Sequence, residues 1–218
     1  MLKITSIEPQ KRNKNRFNIF LNGQFAFGLS EFALLENQLK LGKNLSEKEI
    51  AQILKKEELA KLTDLAANFL SFRPRSEKEV INYLTKKISQ RENITFSQAK
   101  QSQLIDHVLA KLKKYQYLND YEFAKWFLQS RLRTKPKGIN QIKLELKSKG
   151  IKSEIIESVL DHNINEVELA KKALLKKLKS WQKLSPVEFK KKVYQFLASR
   201  GFRFDTISEI FAFFEKKR

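Results

Sequence analysis

An internal repeat constrains the fold of this chain more than any other feature. The segment from Pro74 to Leu84 aligns without a gap on the segment from Pro136 to Leu146, with proline on proline and Val80 on Ile142. The copies lie roughly 60 residues apart, a spacing typical of repeat proteins. Such a unit cannot bury its apolar face alone, whereas stacked copies share a continuous core.

A second match, between residues 146–160 and 197–211, extends the repeat to a third copy. There Gly150 aligns with Gly201, and each glycine follows a basic last turn of a helix. A residue with positive φ closes a helix at this position, and cations suit the negative end of the helix dipole. The sequence therefore predicts a mainly α-helical chain of three tandem three-helix repeats in an elongated, curved array.

The predicted repeats occupy residues 46–118, 119–163 and 164–218, the first with a lead-in helix. Ser46 and Glu49 fit a capping box at the start of that helix. Beyond them, apolar residues recur at helical spacing as far as Phe72.

Residues 1–45 have a different pattern and predict a small β-unit. Polar and apolar residues alternate on both sides of Asn22-Gly23, and this dipeptide between alternating runs is a strong hairpin signal because both residues must take positive φ. A short helix is expected from Glu31 to Asn37.

Charge and composition narrow the class of protein. The formal net charge is +20 over 218 residues, which a compact chain tolerates best with an anionic partner. Nucleic acid is the first candidate, and an acidic protein surface or an anionic membrane surface is the second. The absence of cysteine excludes disulfides and thiolate chemistry, and no signal peptide or membrane span is recognisable, so a cytoplasmic location is expected.

Two arginines flank a proline directly before a predicted helix. Pro74 disfavours continuation of the preceding helix, and Ser76 with Glu79 fits a capping box. Neither role needs Arg73 or Arg75. These arginines are therefore candidates for contact with a phosphate or carboxylate, with solvated charge or a local ion pair as the alternative.

The second and third copies add further basic candidates. Residues 131–137 hold four cations and no acid. Lys143 and Lys147 follow, four residues apart on one helix face. Like charges at this spacing destabilise the helix, so a compensating partner is expected. A solvated face is the alternative. The candidate set comprises Arg73, Arg75, Arg131, Arg133, Lys135, Lys137, Lys143, Lys147, Lys172, Lys176 and Arg200.

Aromatic residues and histidines indicate structural roles. Phe123, Phe127, Phe196, Phe211 and Phe214 recur at helical spacing and are expected in the core. The tyrosines of residues 115–117 are expected to pack between repeats. The two histidines, at positions 107 and 162, form no metal-ligand pattern, and the first is expected to be packed.

No catalytic motif is present. The sequence has no phosphate-binding glycine loop and no nucleophile elbow. We therefore expect neither a catalytic site nor a metal or cofactor.

The segments 69–84, 117–132, 136–151 and 197–202, in this order, resemble the RecX family of recombination regulators. The resemblance covers nearly the whole chain, and the β-unit looks like the extension of longer members. It implies a monomeric modulator of the RecA recombinase, built from three tandem three-helix repeats. Such a protein binds in the groove of the RecA filament on single-stranded DNA, inhibits ATPase and strand exchange, and binds single- and double-stranded DNA weakly.

Two other functions compete with that of a filament regulator. A stand-alone, non-specific DNA-binding protein would also explain the charge. A nuclease would need clustered carboxylates for metal ions, which the repeats do not offer.

Overall fold

The computed structural model describes residues 1–160 and 164–215, apart from the side chain of Lys176. It begins with three antiparallel strands, β1 (Leu2–Pro9), β2 (Arg16–Leu21) and β3 (Gln24–Ser30). The short strand β4 (Asn44–Leu45) completes a sheet of order β3-β2-β1-β4. Asn22 and Gly23 have φ of 47° and 83°, which confirms the hairpin. Helix α1 (Glu31–Glu36) follows, capped by Ser30.

The core of the β-unit extends into the long helix α2 (Glu47–Ser71). Ile53 of α2 is buried with Ile19 and Leu29 of the sheet. Glu57, also buried, accepts a hydrogen bond from the Ser30 hydroxyl at 2.8 Å and pairs with Arg16 at 2.9 Å. The β-unit is therefore attached to α2 by packing and by a buried ionic contact.

The first repeat is formed by α2 together with three further helices. These are α3 (Glu77–Glu92), α4 (Phe96–Lys100) and α5 (Gln103–Lys114). The predicted capping box at Ser46 and Glu49 is present at the start of α2. Leu62, Leu84 and Leu112 meet in a common core, one from each of the three longer helices.

The second repeat consists of α6 (Asp120–Thr134), α7 (Ile139–Ser148) and α8 (Ser153–Val159). Its core holds Phe123 and Phe127 of α6, as predicted. Ile142 of α7 and Ile156 of α8 complete this core.

The third repeat consists of α9 (Glu166–Trp181), α10 (Pro186–Ala198) and α11 (Phe204–Glu215). Phe211 and Phe214 are buried in its core, as predicted, while Phe196 is partly buried and meets Trp181 edge-to-face. The mainly helical fold with three-helix repeats after a small strand unit is thus confirmed.

The repeats meet at two joints of the same design. At the first joint, between the first and second repeats, Gly150 follows α7 with φ of 85° and approaches Lys78 of α3. At the second joint, Gly201 follows α10 with φ of 75° and approaches Gln141 of α7. The predicted C-terminal glycine caps are therefore confirmed, and each one lies against the preceding repeat.

The chain is extended. Its accessible surface is 14313 Å², compared with about 10,400 Å² expected for a compact monomer of this mass. Within residues 1–160 and 164–215, no helix combines the length and apolarity that a membrane span needs.

Candidate interaction surface

The turn around Pro74 joins α2 to α3 at the first joint. Ser76 is fully buried and its hydroxyl accepts from the Glu79 amide at 3.2 Å. The capping box predicted here is wrong in one of its two hydrogen bonds, because the Glu79 carboxylate does not accept from the Ser76 amide. That carboxylate instead binds Arg73 and, across the joint, Lys149 at 2.7 Å.

Arg73 is held within the chain. Its guanidinium donates to both carboxylate oxygens of Glu79, at 3.0 and 3.2 Å, and lies over the ring of Trp126 in the second repeat. Burial alone would raise the pKa of Glu79, but the hydrogen bonds from Arg73 and Lys149 outweigh it and lower that pKa. The local ion pair, one of the alternatives for Arg73, is thus present.

Arg75 has a different environment. Its guanidinium lies over the ring of Phe69, 3.9 Å from the centroid, and Phe69 in turn stacks on Tyr83 at 4.2 Å. Burial, and then the charge of Arg73, lower the pKa of Arg75. No carboxylate forms an ion pair with Arg75 among the described residues.

Acids from other helices neutralise part of the second-repeat basic stretch. Glu145 of α7 binds both Arg131, at 2.7 Å, and Lys137. Burial would raise the pKa of Glu145, but the hydrogen bonds from Lys137 and Arg131 lower it. Lys143 pairs with Glu157 of α8 at 2.8 Å, so for this lysine the compensating partner lies in the same chain.

Three basic side chains of the second repeat remain exposed. Arg133, Lys135 and Lys147 have no ion-pair partner in the described part of the chain. Arg133 lines a small cleft on α6 beside Trp126 and Gln129. These three positions are available to an anionic partner.

The candidates of the third repeat also include one cation bound within the chain and one that is exposed. Arg200 donates to the Pro136 carbonyl at 3.1 Å across the second joint and lies over the ring of Phe196. Lys172 is exposed, and no described residue pairs with it. The Lys176 side chain lies outside the described part of the structure.

Two acids that sequence reasoning missed cap helices of the neighbouring repeat. Asp120, in the first turn of α6, accepts from the Glu77 amide at the start of α3 at 2.8 Å. Glu166, in the first turn of α9, accepts from the Ile139 amide at the start of α7 at 2.6 Å. Each acid follows an asparagine and precedes Glu by two residues, a match that could have revealed them.

Two predictions about ring side chains are wrong. Tyr115 and Tyr117 do not pack between repeats but are 58% and 66% exposed. Gln116, with φ of 59°, follows the last turn of α5, and Leu118 rather than a tyrosine is buried, in the core of the first repeat. His107 is exposed and bonds the Gln103 carbonyl, while the other histidine, His162, lies outside the described residues.

Across residues 1–160 and 164–215, no group of three or more His, Asp or Glu side chains is placed to hold a metal ion. The surface instead presents cationic and aromatic side chains on stacked helices. The three stacked helical units define the class of the molecule, an α-helical repeat protein.

Family models show to which family of repeat proteins this chain belongs. The N-terminal domain of the regulatory protein RecX matches residues 2–46, and its first, second and third three-helix domains match residues 64–91, 119–160 and 165–211. The chain belongs to the RecX family of regulatory proteins.

Individual relatives agree with this assignment. The regulatory protein RecX of Listeria monocytogenes serovar 1/2a is 36% identical over 92% of this chain and 71% of its own length. That of Bacillus velezensis is 38% identical over 94% of this chain and 74% of its own.

Solved structures show the same fold. A crystal structure of the regulatory protein RecX superposes with a TM-score of 0.66 at 29% identity, covering 96% of this chain and 98% of the other. RecX from Lactobacillus salivarius gives a TM-score of 0.56 at 27% identity, covering 71% and 95%.

Proposed function

We propose that this chain is a negative modulator of the RecA recombinase. It binds the RecA filament on single-stranded DNA in the filament groove and inhibits ATP hydrolysis and strand exchange. The observation that carries the proposal is membership of the RecX family over nearly the whole chain. The extended stack of repeats and the net charge of +20 support it, since a long cationic surface suits a helical groove that contains DNA.

Exposed cations without an internal partner are the proposed contacts with RecA or DNA. They are Arg133, Lys135, Lys147 and Lys172. Cations already bound within the chain would have to exchange an existing partner for a new one, which lowers their gain on binding. For this reason we assign internal support to Arg73, Arg131, Lys137, Lys143 and Arg200. Lys176, whose side chain lies outside the described structure, stays a predicted contact.

The chain is further expected to act as a monomer in the cytoplasm, without catalytic activity and without a cofactor. A second function, competition for DNA as a stand-alone non-specific DNA-binding protein, is favoured by the charge alone. The two functions differ in their dependence on salt.

The deciding experiment titrates this protein into single-stranded-DNA-dependent ATP hydrolysis by the cognate RecA at two salt concentrations. DNA binding by the protein alone is measured in parallel. Inhibition that persists at salt which abolishes the protein's own DNA binding is the result expected of a filament modulator. Inhibition that follows DNA coverage and disappears with it would replace this proposal by the DNA-competitor function.

A further inference from the structure

A cleft of about 410 Å³ lies at the first joint, beside the turn that contains Pro74. One wall comes from the end of α2 and the following turn, and the other from the turn before α6 and from α6 itself. The lining residues that matter are Arg73, Arg75, Tyr117 and Glu122.

One exposed aromatic ring lines this cleft, and two more belong to residues next in sequence to lining residues. Tyr117 is 66% exposed on its wall, and the Tyr115 ring lies 6.5 Å from it. Phe72, next to the opposite wall in sequence, is 77% exposed. The core does not need these rings, and rings exposed beside a cation are the elements on which bases of a single strand stack.

Arg75, the cleft arginine without a direct ion pair among the described residues, is held in a fixed orientation. Arg75 is stacked on Phe69, which is itself stacked on Tyr83, so its guanidinium is pre-organised without a carboxylate partner. A guanidinium in this state binds phosphate through paired hydrogen bonds and stacks on planar groups. A bound anion would stabilise the charged form of Arg75, whose pKa is lowered chiefly by burial.

The remaining charges orient a ligand in the cleft. Arg73 is neutralised by Glu79, so it adds little attraction. Glu122 is exposed on the wall that carries Tyr117 and repels phosphate there. These charges favour a nucleotide with its phosphate at Arg75 and its base towards Tyr117.

We propose that this cleft is a binding site for single-stranded nucleic acid, with a phosphate on Arg75 and an unpaired base stacked on Tyr117. Duplex DNA does not fit the site in this way, because its bases are already stacked inside the helix. The inference does not depend on the recombinase and concerns nucleic-acid binding by this chain alone.

The test measures fluorescence anisotropy of a labelled oligo-dT, about 20 nucleotides long so that it exceeds a single-site length, and of a duplex of the same length, at several salt concentrations. Tyr117→Ala should weaken oligo-dT binding about 5- to 150-fold, the equivalent of one lost stacking contact. The slope of log affinity against log salt should stay unchanged, since stacking releases no counterion. Duplex binding should also stay unchanged.

Arg75→Gln should act differently on the same probe. Loss of one phosphate contact should reduce the magnitude of that salt slope by about 0.7 for a single strand. Tyr121→Ala is the matched control, because Tyr121 is 42% exposed at the start of α6 but does not line the cleft. It should leave both probes unaffected.

Thermal melting of each variant, compared with the wild type, separates loss of binding from loss of folding. Unchanged oligo-dT binding by a folded Tyr117→Ala variant, or an equal loss on single strand and duplex, would overturn the proposal. If a folded Tyr117→Ala variant keeps its oligo-dT binding and loses RecA inhibition in a separate ATPase measurement, the cleft belongs to a protein partner and the proposal is overturned. Failure of the proposed RecA function leaves this assay unaffected, since the assay contains no recombinase.

Discussion

The two joints between repeats share one geometry and differ in chemistry. At both, a glycine that closes the second helix of one repeat packs on the start of the corresponding helix in the preceding repeat. At both, an acid from the first turn of the next repeat caps that helix, Asp120 at the first joint and Glu166 at the second. The differences lie in what surrounds these shared contacts.

The first joint is ionic. Glu79 binds Arg73 and Lys149, and the Lys78 ammonium donates to the Ser148 carbonyl across the joint at 3.0 Å. Such contacts respond to pH and salt because their strength depends on charge.

The second joint is made mainly by close backbone contact, beside the Glu166 cap and the Arg200 side chain. The Gly138 amide donates to the Arg200 carbonyl at 2.9 Å, and a Cβ on Gly138 would come within 2.0 Å of the Gly201 carbonyl oxygen. This close contact leaves no room for added atoms, and the backbone groups that form it carry no titratable proton. Equivalent positions of a repeat can thus be joined by two different sets of interactions.

The largest expected effect is that of Gly138→Ala at the second joint. The φ of Gly138 is −65°, so alanine adds no backbone strain there, and its methyl group alone must displace the Gly201 carbonyl. We expect a loss of about 3 kcal/mol or more in the free energy of unfolding, at the upper end for overpacking. Urea denaturation measures it, with Asn140→Ala on the exposed side of α7 as the control. A loss below that of the control would mean that the joint is not closed as described.

A medium effect is expected for Glu79→Gln at the first joint. Loss of the charged hydrogen bonds to Arg73 and Lys149 should cost about 1.5–3 kcal/mol at pH 7. The folded-state pKa of Glu79 is lowered, so its contribution is present above the unfolded value of 4.5 and is lost as pH falls through the folded value.

As the pH falls below about 5, the free energy of unfolding of the variant should therefore decrease less than that of the wild type. Urea denaturation at a series of pH values measures this difference. The flattening is partial, because Glu57 and Glu145, whose pKa values are also lowered, keep their own contributions. A curve parallel to the wild type would show that Glu79 contributes no pH-dependent stability.

The smallest effect is expected for Asp120→Asn. Burial raises the pKa of Asp120, so its charged form disfavours the fold at neutral pH, and this penalty is relieved as pH falls through the raised folded value. Asparagine keeps an oxygen to accept from the Glu77 amide. Stability at pH 7 should therefore change by less than about 1 kcal/mol, measured by the same denaturation. A larger loss would mean that the charge itself caps α3.

Local signals predicted most elements of the fold, but not the short strand β4 or the helix α4. The repeat, the hairpin at Asn22-Gly23 and the glycines at 150 and 201 each depend on residues close in sequence or on self-similarity. The destination of a charged side chain depends on packing between helices. Glu79 meets Lys149 from 70 residues away, and this contact was not predictable before the joint itself was known.

The sequence predicted which basic positions belong to the candidate site, but not which of them are paired within the chain and which are exposed. Sequence alone gives Arg131 and Arg133 the same status, since they stand two apart in one basic stretch. Helical geometry turns Arg131 towards Glu145 and leaves Arg133 exposed. The exposure of Tyr117 was missed because it follows from the turn at Gln116, a residue type that seldom adopts positive φ.

The most direct test of this account compares two charge variants of the second repeat in the RecA ATPase assay. One reverses the free cations Arg133, Lys135 and Lys147 to glutamate, and the other changes the paired Arg131 and Lys137 to glutamine. We predict that the first raises the concentration for half-inhibition about tenfold, roughly 1.4 kcal/mol, with unchanged melting. The second should lower the melting temperature and inhibit normally while folded. The reverse pattern would contradict the account, because the paired cations would then be the ones that contact the filament.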